Sequence, residues 1–346
     1  MKSLLKLAGI GTAAAAAVSA VAYGCYRMAF YSAPRVLSDA IPMPDGEIYD
    51  PYREKMAAWV KEIREMPHED MEITAFDGLK LRGKYYEYAP GAPVELMLHG
   101  YRGCAEGDLC GGVQRCFLLG RSAVIVDQRA CGYSQGNVIT FGVKERRDCI
   151  SWVEYAVSRF GEDTPIIIAG ISMGASTVLI AAGQPLPKNV IGVLADCGYN
   201  SARDIIQTVI KQLKLPVTLG YFFVKLGAKV YGRFDPEEFS PEEALKTCTV
   251  PVIFFHGETD DFVPCRMSKE MYDACPTRKK LVTVPGAGHG LAFPVDQEYY
   301  LKELLDFFGP EASYQAGSAR RQLRAFAAAV IVTPLAPPGS LLRQSS

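Results

Sequence analysis

A serine that lies between two glycines is the first sign of chemistry in this sequence. Residues 170–174 read Gly-Ile-Ser-Met-Gly, which fits the pattern G-x-S-x-G. The apolar run 166–169 before it and the run 175–182 after it predict a buried strand and a helix, joined by a sharp turn. Such a turn lifts the hydroxyl of Ser172 to the carboxyl edge of a sheet and points a helix N-terminus at developing negative charge. Ser172 is therefore the predicted nucleophile, and a plain Gly-Ser turn is the alternative.

A serine nucleophile needs a neighbouring base, because a free hydroxyl is weakly reactive. Of the four histidines in the chain, His289 lies in the glycine-rich segment 286–290, after the last predicted strand. There its imidazole could swing over Ser172, so His289 is the predicted base, with an ordinary loop histidine as the alternative. The other histidines precede the predicted sheet or end one of its strands: His68, His99 and His256.

The base in turn needs an acid, which after a G-x-S-x-G turn is expected between the serine and the histidine and behind a strand. Residues 256–264 read HGETDDFVP and meet this requirement. Asp260 is the predicted acid, while Asp261 stays open because the sequence cannot fix one residue of register. Asp196, at the end of the preceding predicted strand, is a possible substitute. An isolated aspartate usually forms a turn or caps a helix, so only the ordered set favours Asp260.

Attack on a carbonyl group leaves negative charge on its oxygen, which two backbone N–H groups can stabilise. Met173, directly after the nucleophile, is predicted to supply one N–H from the helix start. Tyr101, in a glycine-flanked loop after a predicted strand, is predicted to supply the other. Arg102 could bind a substrate carboxylate or an acidic neighbour in the fold, Glu106 or Asp108, and the second interpretation is favoured.

Strands and helices that alternate along the chain must position these side chains, and this alternation is typical of a parallel sheet with crossover helices. Two alternating runs on either side of Asp77-Gly78 precede the region and predict a β-hairpin. The expected fold class is α/β, with a mostly parallel twisted sheet and helices on both faces. The predicted strands are 94–98, 123–126, 166–169, 190–194, 252–255 and 280–284, and the predicted helices are 107–119, 144–160, 175–182 and 298–308.

The segment 198–249 interrupts this alternation and is too long for a plain loop. We expect it to form a small helical lid over the strand ends. Most of its apolar side chains should hold the lid on the body, while a minority facing the substrate would favour an apolar acyl group. Those at helical spacing are Ile205, Ile206, Val209, Ile210 and Leu213, and a second apolar cluster follows at 221–226.

The composition allows one large core and argues against some classes of partner. The 346 residues are 49% hydrophobic and 22% charged, with a net charge of −1. Because the chain has no basic excess, no nucleic-acid partner is expected. The ten cysteines form no C-x-x-C pair and show no Cys/His spacing typical of zinc. We therefore expect buried thiols, no metal and no organic cofactor.

Both ends of the chain are expected to lie outside the catalytic domain. Residues 7–26 carry no charge and follow two lysines, so 1–32 is predicted to be a membrane anchor, with a cleaved secretory signal or a soluble helix as alternatives. The side of the membrane stays open, since the flanking charges and the many cysteines point in opposite directions. The proline-containing segment 33–71 is predicted to be a connecting arm, and the basic segment 311–346 a disordered tail.

The motifs GISMG, LHGYRG, DQRACGYSQG, HGETDDFVP and GAGHG occur in an order and spacing that resembles the α/β-hydrolase superfamily. The chain is similar in particular to bacterial hydrolases with an N-terminal hydrophobic segment, akin to serine-aminopeptidase-like and Bem46-like members. The resemblance implies an α/β-hydrolase domain over 72–310, with Ala130 in place of the first glycine of the family stretch D-x-R-G-x-G-x-S. Carried over by position, it implies a catalytic triad and two oxyanion donors: Ser172, Asp260 and His289, with Tyr101 and Met173.

These observations lead us to expect hydrolysis of a carboxylic ester, or a related small acyl compound, through an acyl-Ser172 intermediate. A peptidase or amidase is the alternative among enzymes, because the same triad serves both chemistries. Acyl transfer to an alcohol or amine at a membrane is a third possibility. A catalytically silent binding protein on the same scaffold would lack a triad residue, and none is missing here. The natural acyl group, the leaving group and the oligomeric state are left open.

Overall fold

One twisted sheet organises the protein in the computed structural model, which describes residues 2–33, 41–44, 46–309 and 312–313. Within these residues the sheet has eight strands. They are β1 (Glu69–Thr74), β2 (Lys80–Tyr86), β3 (Val94–Leu98), β4 (Ser122–Val126), β5 (Ile166–Ile171), β6 (Val190–Asp196), β7 (Val252–Gly257) and β8 (Lys279–Val284).

The strands follow the order β1-β2-β4-β3-β5-β6-β7-β8 across the sheet. Neighbouring strands from β4 to β8 pair in parallel, whereas β2 pairs antiparallel with both of its neighbours, β1 and β4. The predicted α/β class with a mostly parallel sheet is confirmed. The carboxyl ends of parallel strands all lie at one edge of the sheet, so loops from distant parts of the chain meet there.

Helices cover both faces of the sheet, which explains why its central strands are apolar throughout. In β3, Leu96 and Leu98 pack into one buried cluster and Met97 packs into the cluster on the opposite face. The α-helices of the described chain are α1 (Lys2–Ala29), α2 (Arg53–Glu65), α3 (Ala105–Leu118), α4 (Glu145–Phe160), α5 (Met173–Ala182), α6 (Ala202–Gln212), α7 (Val217–Gly227), α8 (Pro241–Leu245), α9 (Arg266–Ala274), α10 (Ala292–Val295) and α11 (Gln297–Phe308).

The predicted hairpin joins β1 and β2. Its turn contains Asp77 and Gly78, and Gly78 has a φ of 88°, in the left-handed region that glycine adopts without steric cost. Residues 69–74 pair with 80–85 in antiparallel register. This hairpin extends the parallel sheet at the edge farthest from β8.

The segment 198–249, named here the helical insertion, contains α6, α7, a π-helical turn over Ala228–Gly232 and α8. Ser201 caps α6 by accepting a hydrogen bond from the backbone N–H of Asp204. Ile205, Ile206 and Ile210 are buried in a third apolar cluster that also includes Met173. The expectation that apolar residues at helical spacing hold the insertion on the body is met at these three positions, whereas Leu213 is 57% exposed.

The N-terminal helix α1 packs on the helical insertion. Ala22, Tyr26 and Phe30 are buried, and the backbones approach so closely that a Cβ on Gly227 would lie 2.4 Å from the carbonyl oxygen of Ala22. In the described part of the chain, no helix combines the length and apolar character needed to cross a membrane. This finding does not support the anchor predicted for 1–32, whose alanine-rich centre makes it only weakly apolar.

The connecting arm predicted for 33–71 includes a 3₁₀-helix over Glu47–Tyr52 followed by α2. Val60 and Ile63 of α2 are buried against the same face of the sheet as α3 and α11. Of the predicted tail 311–346, all but residues 312 and 313 lie outside the described part of the chain.

Candidate active site

The serine predicted as nucleophile sits in a strained turn between β5 and α5. Ser172 has φ 55° and ψ −119°, a conformation that a residue with a side chain adopts at a cost of roughly 1–3 kcal/mol. A Cβ on Gly170 would lie 2.3 Å from backbone atoms of Gly174, and one on Gly174 would lie 2.1 Å from the carbonyl oxygen of Leu98. Both glycines are therefore required by close backbone contacts. The turn leaves Ser172 only 8% exposed, at the carboxyl edge of the sheet.

The three side chains that the sequence analysis grouped as a triad form one continuous chain of contacts. His289 Nε2 lies 2.9 Å from Ser172 Oγ, and His289 Nδ1 lies 2.7 Å from Asp260 Oδ2. With the proton on Nδ1, the imidazole donates to the carboxylate and accepts from the serine hydroxyl. The alternative acid, Asp261, is exposed, and its carbonyl oxygen accepts from Gln212.

Asp260 is held as a carboxylate by several hydrogen-bond donors. Burial alone would raise its pKa, but hydrogen bonds from His256 and His289, the charge of His289 and the backbone N–H of Val263 together hold the pKa well below its usual range. Its Oδ1 accepts the N–H groups of Phe262 and Val263 at 3.0 and 2.8 Å. The oxygen facing His289 is therefore Oδ2, and the orientation of the carboxylate is fixed.

Three residues around the triad were not assigned a role from the sequence. His256 is fully buried, with Nε2 3.4 Å from Asp260 Oδ2 and Nδ1 2.7 Å from the hydroxyl oxygen of Ser268. Tyr49, in the 3₁₀-helix of the arm, donates to the carbonyl oxygen of His289 at 3.0 Å. Phe262 packs edge-on against the imidazole, with ring centroids 5.1 Å apart. The position of His256 at a strand end four residues before Asp260 was a usable signal, but nothing in the local sequence marks Tyr49.

The remaining candidate side chains lie in other contacts. Asp196 Oδ2 accepts the hydroxyl of Tyr300 at 3.0 Å, and burial raises the pKa of this aspartate. His99 Nε2 accepts the backbone N–H of Gln128 at 3.0 Å. His68 contacts the carbonyl oxygen of Met66 through Nδ1 at the surface. The structure thus brings one of the four histidines to Ser172.

The loop after β3 lies beside Ser172, as the predicted oxyanion donor requires. A Cβ built on Gly100 would lie 3.5 Å from Ser172 Cβ and 3.9 Å from its Oγ, and the N–H of Gly100 is bound by Asp108 Oδ2 at 2.9 Å. Met173 is the first residue of α5, where backbone N–H groups have no partner within the helix. The guanidinium group of Arg102 donates to the carbonyl oxygens of Met28 and Tyr31, partners that the sequence analysis did not foresee.

One group of side chains in the described chain has atoms placed closely enough to suggest a metal. Cys197, Asp260 and His289 each offer one ligand atom, and these atoms lie within 4.8 Å of one another. Burial and the neighbouring Asp196 and Asp260 raise the pKa of the Cys197 thiol, which opposes the thiolate that metal binding needs. Both imidazole nitrogens already face Ser172 and Asp260, so a metal would have to break the triad contacts.

The fold and this site define an α/β-hydrolase. The protein belongs to the prolyl oligopeptidase family, whose sequence profile matches residues 139–313. This agrees with the superfamily expected from the sequence motifs.

Relatives and solved structures give the same picture of the scaffold. The chain is 26% identical over 194 residues to the uncharacterized protein YqkD of Bacillus subtilis, covering 55% of this chain and 62% of that protein. It is 24% identical to the lysophosphatidylserine lipase ABHD12 of Danio rerio, covering 57% of this chain and 52% of the lipase. The chain thus spans between half and two thirds of these relatives. The Pyrococcus furiosus esterase Pf2001 superposes with a TM-score of 0.61 at 22% identity, over 80% of this chain and 97% of the esterase.

Proposed function

We propose that this protein is a serine hydrolase that cleaves a small carboxylic ester, or a related acyl compound, through an acyl-Ser172 intermediate. The observation that carries the proposal is the unbroken series of contacts from Asp260 through His289 to Ser172, at 2.7 and 2.9 Å, on a strained strand-to-helix turn. A structural hydrogen-bond network would not need the backbone strain at Ser172, which lies at the carboxyl edge of the sheet.

In the first half-reaction, His289 Nε2 takes the proton of Ser172 as Oγ attacks the carbonyl carbon of the substrate. The imidazolium that forms is stabilised by the Asp260 carboxylate through Nδ1–H. His289 then gives the proton to the departing alkoxide, which leaves the acyl group on Ser172. In the second half-reaction His289 takes a proton from water, which attacks the acyl group. The carboxylic acid is then released, and the hydroxyl group of Ser172 is restored.

The oxyanion formed at each attack needs donors close to Ser172. The N–H of Met173 at the start of α5 and the N–H of Tyr101 in the loop beside the nucleophile are the donors we propose. The positive end of the α5 dipole adds to this stabilisation. Loss of one such donor typically costs a factor of about 10²–10³ in kcat.

The choice of ester over amide rests on the activities for which similar proteins are named. ABHD12 of Danio rerio is a lysophosphatidylserine lipase, and Pf2001 is an esterase. The prolyl oligopeptidase family profile favours the second candidate, a peptidase or amidase. The triad geometry serves both reactions, so turnover of matched substrates has to separate them.

A fluorophosphonate probe tests the nucleophile. The wild-type protein should be labelled and Ser172→Ala should not, because the probe bonds to an activated serine oxygen. Ser176→Ala is a matched control, since Ser176 is buried and its hydroxyl donates to the carbonyl oxygen of Tyr199. Equal labelling of the wild type and Ser172→Ala would remove Ser172 from the mechanism.

A substrate panel tests the reaction class. Purified protein is assayed with p-nitrophenyl esters of increasing acyl length and with aminoacyl p-nitroanilides, which release the same type of chromophore. We expect the esters to have the higher kcat/KM. Faster turnover of the anilides would assign the protein to the peptidase class instead, with the same triad.

A further inference from the structure

The proposed oxyanion donor Tyr101 lies in a strained turn. The N–H of Gly103 donates to the carbonyl oxygen of Gly100 at 3.2 Å, which closes a four-residue turn. Its third residue, Arg102, has a φ of 55°, a region that residues with side chains rarely occupy. Such a conformation persists only where surrounding contacts fix it. The N–H of Gly100, bound by Asp108, fixes the start of the turn.

The C-terminal end of α1 supplies the contacts for the rest of the turn. Arg102 Nη2 donates to the carbonyl oxygens of Met28 and Tyr31 at 2.8 and 2.9 Å. The hydroxyl of Tyr101 donates to the carbonyl oxygen of Ala29 at 2.9 Å. The last carbonyl groups of a helix have no partner within the helix and carry partial negative charge. A guanidinium group is well suited to bind one of them, that of Met28, together with the carbonyl oxygen of Tyr31 just after the helix.

Helix α1 is itself fixed to the body of the protein, so it can serve as a rigid support. The ring of Phe30 packs edge-on against Phe141 and Phe234, at centroid distances of 5.6 and 5.1 Å. The carbonyl oxygen of Phe30 accepts the N–H of Ile139 at 2.8 Å, and Ser32 N–H donates to the carbonyl oxygen of Asn137 at 2.9 Å. The chain after α1 is therefore held like a short added strand.

We infer that Arg102 is a positioning residue for catalysis, which holds the Tyr101 N–H in oxyanion-binding geometry by clamping the loop onto the C-terminal end of α1. The inference rests on the proposed function. It gives the N-terminal helix a role in the active site, because the loop beside Ser172 takes its support from residues 28–31. Arg102 touches no reacting atom in this account.

The test compares Arg102→Met with Arg102→Lys in the full chain. Both variants keep a long unbranched side chain and the positive φ, but only lysine keeps a cationic donor. With a p-nitrophenyl ester we expect Arg102→Met to lose about 10- to 100-fold in kcat with little change in KM, as expected when an oxyanion donor is misplaced. Arg102→Lys should recover most of this loss. The fluorophosphonate labelling rate should follow kcat.

Tyr231→Phe is the control for general loosening of α1, because Tyr231 contacts Ser19 Oγ at 2.5 Å and lies on the helical insertion rather than in the loop. Its kcat should stay within about twofold of the wild type. The inference is overturned if Arg102→Met turns over at the wild-type rate, or if Tyr231→Phe loses as much. Should Arg102→Met fail to fold, Tyr101→Phe replaces it, because it removes the contact to Ala29 while keeping the backbone N–H. An unchanged kcat in that variant also overturns the inference.

The two proposals can fail separately. The proposed function is contradicted if the probe does not label the wild-type protein, or if it labels the wild type and Ser172→Ala to the same extent. Labelling that depends on Ser172, with a rate unaffected by either loop variant, contradicts only the role of Arg102.

Discussion

Replacing Asp260 by asparagine should move the ring proton of the His289 imidazole from one nitrogen to the other without disturbing the fold. Two backbone N–H groups, from Phe262 and Val263, bind Oδ1 at 3.0 and 2.8 Å. In the variant these donors require the amide oxygen at that position, which turns the NH₂ group toward His289 Nδ1. An NH₂ group can only donate there, so Nδ1 must become the acceptor and the ring proton moves to Nε2. A protonated Nε2 cannot accept the proton of Ser172.

The expected loss in kcat is about 10⁴-fold, the size found when the corresponding aspartate of a serine protease is replaced in this way. At about 1.36 kcal/mol per factor of ten, this corresponds to roughly 5 kcal/mol of transition-state stabilisation. KM should change little, because Asp260 is buried behind the imidazole and makes no substrate contact in the proposed mechanism. The assay is steady-state turnover of a p-nitrophenyl ester, with the fluorophosphonate labelling rate as an independent readout.

Asp261→Asn is the matched control, since it makes the same chemical change one residue away on an exposed side chain. Its kcat should remain within about twofold of the wild type. If Asp260→Asn keeps more than about a tenth of the wild-type kcat while Asp261→Asn does not, the acid has been assigned to the wrong residue. If both variants are fully active, the imidazole does not depend on a carboxylate and the triad mechanism is wrong.

Two further predictions concern stability. The folded state holds the pKa of Asp260 below its unfolded value of about 3.9, so the stabilising contribution of this carboxylate is complete above that pH and is lost as the pH falls further. In urea unfolding, the difference in free energy of unfolding between wild type and Asp260→Asn should therefore be smaller at pH 3 than at pH 7. A difference that grows on acidification would contradict this. Gly174→Ala should lower the free energy of unfolding by about 3 kcal/mol or more, because its Cβ would lie 2.1 Å from the backbone oxygen of Leu98 and backbone cannot give way as a side chain can. Gly24→Ala, an exposed helical position with nothing within 4 Å of the added Cβ, should instead raise it by up to about 1 kcal/mol, and similar values for the two variants would show that the close approach at Gly174 is not essential.

Most of the secondary structure could be predicted from local patterns of apolar and polar residues. The strand predicted at 94–98 is β3 with the same bounds, and the long helix predicted at 144–160 is α4, beginning one residue later. Strands buried on both faces need continuous apolar side chains, and crossover helices need an apolar stripe, so the two patterns alternate visibly along the chain. The anchor predicted for the N-terminal segment is not supported. Its uncharged run is compatible with a membrane anchor and with a packed helix, and its contacts with α7 and the loop 137–139 could not be foreseen from its own residues.

The residue types of the site were predictable from the sequence, but the residues that hold them in place were not. A serine in G-x-S-x-G, an aspartate behind a strand and a histidine in a glycine-rich loop follow a fixed order, which is why sequence reasoning selected Ser172, Asp260 and His289. It could not decide between Asp260 and Asp261, because neighbouring residues in a loop point in different directions. It also assigned no role to Tyr49, and it named Arg102 without predicting its contacts to Met28 and Tyr31. Both residues act across more than 70 positions of the chain, Tyr49 on His289 and Arg102 on these two carbonyl groups.

The sequence by itself determined the class of fold, the strand-to-helix turn at Ser172 and the order of the three polar side chains, because each depends on short-range patterns of size, polarity and backbone freedom. The tertiary structure alone decided which carboxylate meets the imidazole, what holds that carboxylate ionised, and which distant helix end supports the loop beside the serine. Those contacts depend on distances and directions in space. Such distances follow from how the whole chain packs, and no local stretch of residues encodes them.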